Sequence, residues 1–184
     1  EMTTRKVILR LVRLSGKRNN LSNGETRQTE CSHFGIKIRR QYFMHYLKIL
    51  FKYCVLLSFG GIMYSTLERM ARGHTHWTMF IVGGLCFCMI GLINEVIPWE
   101  MAFWKQCVIG GCIVTAVEFI SGCIINIWLG WHVWDYSNMP FNILGQICLP
   151  FSLLWCVVSA VAIVCDDYLR YWFFNEEKPV YKLF

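Results

Sequence analysis

Four stretches of the chain, at about 46–67, 77–98, 107–128 and 143–165, are almost wholly apolar, and polar residues gather in the intervals between them. Each stretch reaches the ~20 residues that a helix needs to cross a bilayer core of about 30 Å. Lipid offers no partner for a free backbone N–H or C=O, so runs of this length predict helices. The expected fold is all-α: an integral membrane bundle of four transmembrane helices behind an N-terminal basic amphipathic segment. In that segment Lys6, Arg10, Arg13 and Lys17 recur at helical spacing beside Val7, Leu11 and Leu14. This predicts an amphipathic helix over about 5–14, suited to an anionic membrane surface. Residues 15–33, "SGKRNNLSNGETRQTECSH", have no periodicity and are expected to form a linker. The chain therefore divides into a basic arm (1–45), a transmembrane domain (46–174) and a short tail (175–184). Glu1 stands before Met2, and Met44 lies just ahead of the first apolar run. That pattern fits a segment 1–43 that is fused or misassigned.

Composition strengthens this picture. The 184 residues are 55% hydrophobic and 16% aromatic, with a mean hydropathy of +0.41, above a soluble domain. The net charge of +6 is uneven, with ten Lys/Arg against three acids in residues 1–45. Beside membrane spans, such an arm is the positive charge that sets orientation, so no nucleic-acid partner is expected. An N-in, C-in topology puts 16 of the 18 basic residues inside and leaves only Arg69 and Arg72 outside. Trp77, Trp128, Trp131 and Trp134 then mark the outer interface, and Trp99, Trp104 and Trp172 the inner one. Nine of the ten cysteines lie in or beside the apolar runs and none forms a CxxC pair, so they read as small reduced hydrophobes.

Glu118 falls at the centre of the third run, where a charge costs about 2.5–3.5 kcal/mol on insertion scales. No Lys, Arg or His lies at mid-depth in any run, so Glu118 is expected either to be protonated or to be held by neutral donors, with Trp155 and Thr115 as candidates. Gly111, Thr115, Glu118, Gly122 and Asn126 form one small and polar helix face that predicts packing on protein. This buried polar face (Glu118, Thr115, Asn126, Trp155) is the candidate substrate path. Glu68 and Arg72 are one turn apart and form a candidate pair at the outer interface. His74 and His76 follow them, but with no third ligand in place a capping role is preferred to zinc. Asp166 and Arg170 read as an ordinary i, i+4 pair at the inner interface.

The loop "WHVWDYSNMPFN", residues 131–142, completes the candidate site with Trp134, Asp135, Tyr136, Ser137 and Asn142. Trp131 and Trp134 are expected as interface anchors, Asp135 and Ser137 in a side-chain-bonded turn, and Asn142 as N-cap of the fourth span. Phe141 is expected beneath the aromatic belt. The loop reads as a rigid lid over the Glu118 face, with Asp135 and Asn142 at its mouth, about 15 Å of helix rise above Glu118. Motifs for phosphate cradling, nucleophilic catalysis or metalloprotease chemistry are missing, so no catalytic residue, metal or cofactor is expected.

From Gly60 onward the chain resembles a family of small bacterial membrane proteins known as putative ABC-transporter type IV permeases. The resemblance is carried by "TAVEFISG" (Thr115, Glu118, Gly122) and by "VWDYSNMPFNILGQICLPFSLLW". In the second segment Trp134, Asp135, Tyr136, Ser137, Phe141, Asn142, Gly145, Ile147, Cys148, Phe151, Ser152 and Trp155 match the family pattern. The chain lacks the prolines of longer relatives after the first run, and Cys156 stands where many members have Gly. The resemblance implies a transport-related subunit of unassigned substrate in the bacterial cytoplasmic membrane, contacting lipid; an ATP-driven version requires a separate ATPase subunit. Four spans are few for a transport path, which points to a homo-oligomer. The alternative is a non-transporting assembly or sensor protein, or a membrane-embedded lipid-modifying enzyme.

Overall fold

The computed structural model describes residues 24–93 and 101–182. The expected amphipathic helix at 5–14 and the end of the second run, with Asn94, Glu95 and Trp99, lie outside the described residues. The chain forms two units, Glu1–Lys48 and Ile49–Phe184. Helix α1 spans Gly24–Arg72. It begins inside the stretch expected as linker, because Glu25, Arg27, Gln28 and Glu30 are good helix formers that need no apolar periodicity to propagate. It also runs past Leu67, so Glu68 and Arg72 are helical residues.

Helix α2 covers Trp77–Gly91, and its N-cap is His76, whose ring accepts from Thr78 N. Helix α3 spans Phe103–Gly122 and continues as a π-helical segment, Cys123–Trp128. A two-stranded hairpin follows, β1 (Asn142–Ile143) paired antiparallel with β2 (Ile147–Cys148). Helix α4 spans Leu149–Phe174. Among the described residues, three helices are long and apolar enough to cross a membrane (Lys37–Arg72, Phe103–Trp128, Leu149–Phe174), while Trp77–Gly91 is shorter. Its 15 described residues rise about 22 Å.

The fourth helix begins at Leu149 rather than near Ile143, since Asn142–Cys148 folds into the hairpin. Its turn places Leu144 and Gly145 at φ of 52° and 67°, with Gln146 N bonded to Ile143 O at 3.0 Å. Two positive φ values in succession are what a primed hairpin turn requires. Asn142 is therefore not the helix cap; that position falls to Cys148, which makes no side-chain cap bond.

Small residues let the helices meet. A Cβ on Gly60 would lie 2.2 Å from Phe87 Cβ, and one on Gly83 would lie 2.3 Å from Tyr64 Cβ, so α1 and α2 pack through reciprocal glycines. Gly111 likewise admits Cys156, and Gly110 admits Ser159, which sets α3 antiparallel to α4. The buried line of α3 runs through Gln106, Gly110, Val114, Glu118 and Gly122. Large apolar side chains such as Ile62, Ile120, Leu153 and Val157 face outward, as a lipid-facing surface requires.

Candidate functional site

Glu118 is 3% exposed. Both of its oxygens are taken: Trp155 Nε1 donates to Oε2 at 2.8 Å, and the Tyr136 hydroxyl donates to Oε1 at 3.0 Å. That hydroxyl in turn accepts from Arg72 Nη2 at 3.1 Å, and the Arg72 guanidinium also stands 5.6 Å from the Tyr136 ring centroid. Arg72 lies 3.6 Å from Glu68, whose other oxygen accepts from Thr75 Oγ1 at 2.5 Å. A polar series thus connects the half-exposed Arg72 to the buried Glu118 through one phenol. Stacking fixes its members: Tyr136 lies on Phe151 at 4.8 Å and Tyr64 on Trp155 at 5.8 Å.

The 15 Å of helix rise between Glu118 and the loop does not become a separation in space, because the loop descends. Its support is the π-helical segment, which shifts the register so that Asn126 turns toward the loop. Asn126 Nδ2 donates to Trp134 O at 3.0 Å and to Gln146 Oε1 at 2.8 Å, and its Oδ1 accepts from Val133 N at 2.7 Å. Trp134 Nε1 donates to Gln146 O at 3.0 Å. Trp134 is consequently 4% exposed and is no interface anchor; Gly122 makes room for Gln146 and for its ring, since a Cβ there would lie 2.7 Å from Gln146 Oε1 and 3.1 Å from Trp134 Cζ2. Trp77, Trp128 and Trp131 do remain exposed, and Phe141, at 81% exposure, faces outward rather than tucking inward.

The outer surface of the loop is a self-bonded turn. Asp135 Oδ1 accepts from Ser137 N at 2.8 Å and from Ser137 Oγ at 2.5 Å. These bonds hold the Asp135 carboxyl below the usual carboxylate range, the hydroxyl contributing most. Asn142 Nδ2 donates to Ser137 O and Met139 O, and its Oδ1 accepts from Gly145 N, so it ties the turn to the hairpin. Tyr136 N donates to Gly145 O at 2.7 Å. Burial, and next the Glu118 carboxylate, push the Tyr136 phenol above its ordinary value, so it stays a proton donor to Glu118.

Glu118, Trp155, Tyr136, Arg72 and Glu68 therefore form one network, with Asn126 and Trp134 in the layer that supports it. Thr115 stands apart: its Oγ1 is buried with no hydrogen-bond partner among the described residues. It borders a groove of about 460 Å³ between α3 and α4, lined by Gly111, Ile147, Ser152 and Cys156 among others. Gln146 and Tyr64 adjoin the network and are absent from the sequence-based expectations. Gln146 stands in a run that hydropathy assigns to helix, where a lone amide beside Gly145 is the available signal for a turn. No group of His, Cys, Asp and Glu among the described residues could hold a metal ion.

A family model described as "Putative ABC-transporter type IV" matches residues 49–179. No curated protein and no solved structure matches the chain. The matched span contains every member of the Glu118 network. With its apolar helices, the match makes this a multi-pass membrane protein of a transport-related family.

Proposed function

The chain belongs to that family, and from this membership we propose that it is the permease-like membrane subunit of a transport system, with the basic arm and the tail in the cytoplasm. One observation carries the reading: the unbroken series from Arg72 through the Tyr136 hydroxyl to Glu118. A carboxylate in a low-dielectric interior is costly unless it is compensated or protonated. Here one of the two compensating donors is a loop residue, so a loop movement that withdraws Tyr136 favours protonation of Glu118, and its return favours release. Proton binding is thereby linked to the state of the outer cap. The sequence has no phosphate-cradling loop, so a separate ATPase subunit would supply any nucleotide-driven step.

The reading is tested with the purified chain in proteoliposomes carrying an entrapped pH dye. Wild-type protein is expected to pass protons when a pH gradient is imposed, and Glu118→Gln to abolish this while remaining monodisperse. Equal flux from the two proteins rejects the proposal. Affinity capture from native membranes should bring down an ATPase, and its reproducible absence counts against the nucleotide-driven version. A second reading draws on the occupancy of both Glu118 oxygens, which suits an acid that fixes the cap in an assembly or sensor protein. Under that reading Glu118→Gln loosens the fold, and no flux is seen even from wild type.

A further inference from the structure

The turns of α1 that precede Ile49 carry a charge pattern that the proposed function leaves unused. Lys37, Arg40, Gln41, Met44, His45 and Lys48 follow one another at spacings of 3, 1, 3, 1 and 3, which places them on one helix face. All six are exposed, and they line one open cavity of about 490 Å³. Lys37, Arg40 and Lys48 are cations, Gln41 and His45 can donate hydrogen bonds, and no carboxylate stands among the described residues of the lining. Neutralisation within the helix is excluded by the sequence, since α1 has no Asp or Glu between Glu30 and Glu68. An exposed helix gains from acids and bases set three or four residues apart. This face has bases only, so its field is positive along its length.

The opposite face of the same turns decides which anion it suits. Tyr42, Phe43 and Tyr46 project there and are 43%, 64% and 68% exposed. A nucleic acid or a free phosphate would answer the cations and leave these rings in water. A bilayer surface answers both faces: aromatic rings settle at the level of the headgroups, and Lys and Arg lay their stems along apolar surface while the charged ends reach the headgroups. Arg39, on the aromatic side, can do the same. The candidate span Lys37–Arg72 has 36 residues, whereas a bilayer core needs ~20. Its polar end, Lys37–Lys48, therefore extends to the headgroups.

We propose that this cavity binds the headgroup of one anionic phospholipid, its phosphate met by Lys37, Arg40 and Lys48 and by hydrogen bonds from Gln41 and His45. Guanidinium and ammonium groups are the side chains suited to phosphate oxygens. A choline headgroup carries its own positive charge and forfeits the net attraction, so the site discriminates by headgroup charge.

The test is native mass spectrometry of the full chain in detergent, titrated with phosphatidylglycerol or with phosphatidylcholine of the same chain length. A Lys or Arg near an anionic headgroup contributes a factor of about five, so three give a preference of about a hundredfold for one bound phosphatidylglycerol. The triple variant Lys37→Gln, Arg40→Gln, Lys48→Gln is expected to bind both lipids alike, and Lys178→Gln, on the tail, to keep the wild-type preference. Equal affinity of wild type for the two lipids overturns the site. So does a preference that the triple variant keeps in full, or one that Lys178→Gln loses to the same degree. Inorganic phosphate and a single-stranded oligonucleotide, each at the concentration of the lipid, form the remaining arms: displacement of phosphatidylglycerol by either overturns the lipid assignment, and retention supports it. If the triple variant does not fold, Arg40→Gln and Lys48→Gln decide singly: each is expected to weaken phosphatidylglycerol binding about fivefold, and unchanged binding in both overturns the site.

Discussion

The loop end and the tail end of the bundle each bury an acid, and they compensate it differently. At the loop end Glu118 is met by two neutral donors, an indole and a phenol, and the Arg72 cation reaches it through that phenol. At the tail end Asp166 is met directly by the Arg170 guanidinium, one turn along the same helix. A carboxylate held by neutral donors can accept a proton and leave its surroundings uncharged. A carboxylate paired with a buried guanidinium cannot, because protonation strands the cation. The first arrangement suits a switchable group, and the second ties the charge of the acid to that of its buried partner.

Substitutions that invert this contrast have graded effects. Arg170→Ala should be the most damaging, costing about 3–5 kcal/mol, because it leaves Asp166 buried without its counter-charge; the measurement is the loss of thermal midpoint or of folded yield in nanodiscs. If that variant is no less stable than wild type, Arg170 is not the compensating charge of Asp166. Tyr136→Phe keeps the stack on Phe151 but removes the hydroxyl shared by Glu118 and Arg72, for an expected cost of about 1–3 kcal/mol. Its diagnostic sign is a stability that improves as pH falls, since protonation relieves the stranded Glu118.

Gly145→Ala should cost about 1–2 kcal/mol from its positive φ. Space adds to this, since the new Cβ would come within 2.6 Å of Ser137 Oγ. A midpoint equal to wild type would mean that the hairpin is not the support of the loop. Asp135→Asn is expected to have the smallest effect, because the side chain is fully solvated. Its folded carboxyl titrates below the ordinary ~4, so its contribution is present above that pH and fades as pH falls through the lowered value. Wild type and variant should therefore converge in acid and differ only slightly at neutral pH.

Glu118 was conspicuous in the amino-acid sequence because a lone acid in an apolar run has few explanations, and Trp155 could be named as its partner from matching depth alone. Tyr136 could be named as a loop residue but not as the second partner. Its approach depends on a π-helical register shift around Asn126 and on a hairpin inside a run that hydropathy assigns to helix. Both features are held by hydrogen bonds that single polar side chains make to the loop and the hairpin, which leave no periodic trace. The tail-end cluster was hidden for a related reason. Asp166 and Arg170 at i, i+4 look the same on an exposed helix as on a buried one, and burial came from the close approach of α2 at Gly91 and the return of Tyr181 to Asp167.

Sequence alone determined that this chain enters a membrane, that its elements there are helices, and that one acid needs an internal partner. These follow from transfer free energy and backbone hydrogen bonding, which are local properties of composition and run length. Tertiary structure decided where the fourth helix starts, which way Trp134 and Phe141 face, and that Arg72 communicates with Glu118 through Tyr136. Each depends on which of several near-equivalent partners a side chain meets once glycines let the helices close, and that choice is made by the packing of the whole bundle.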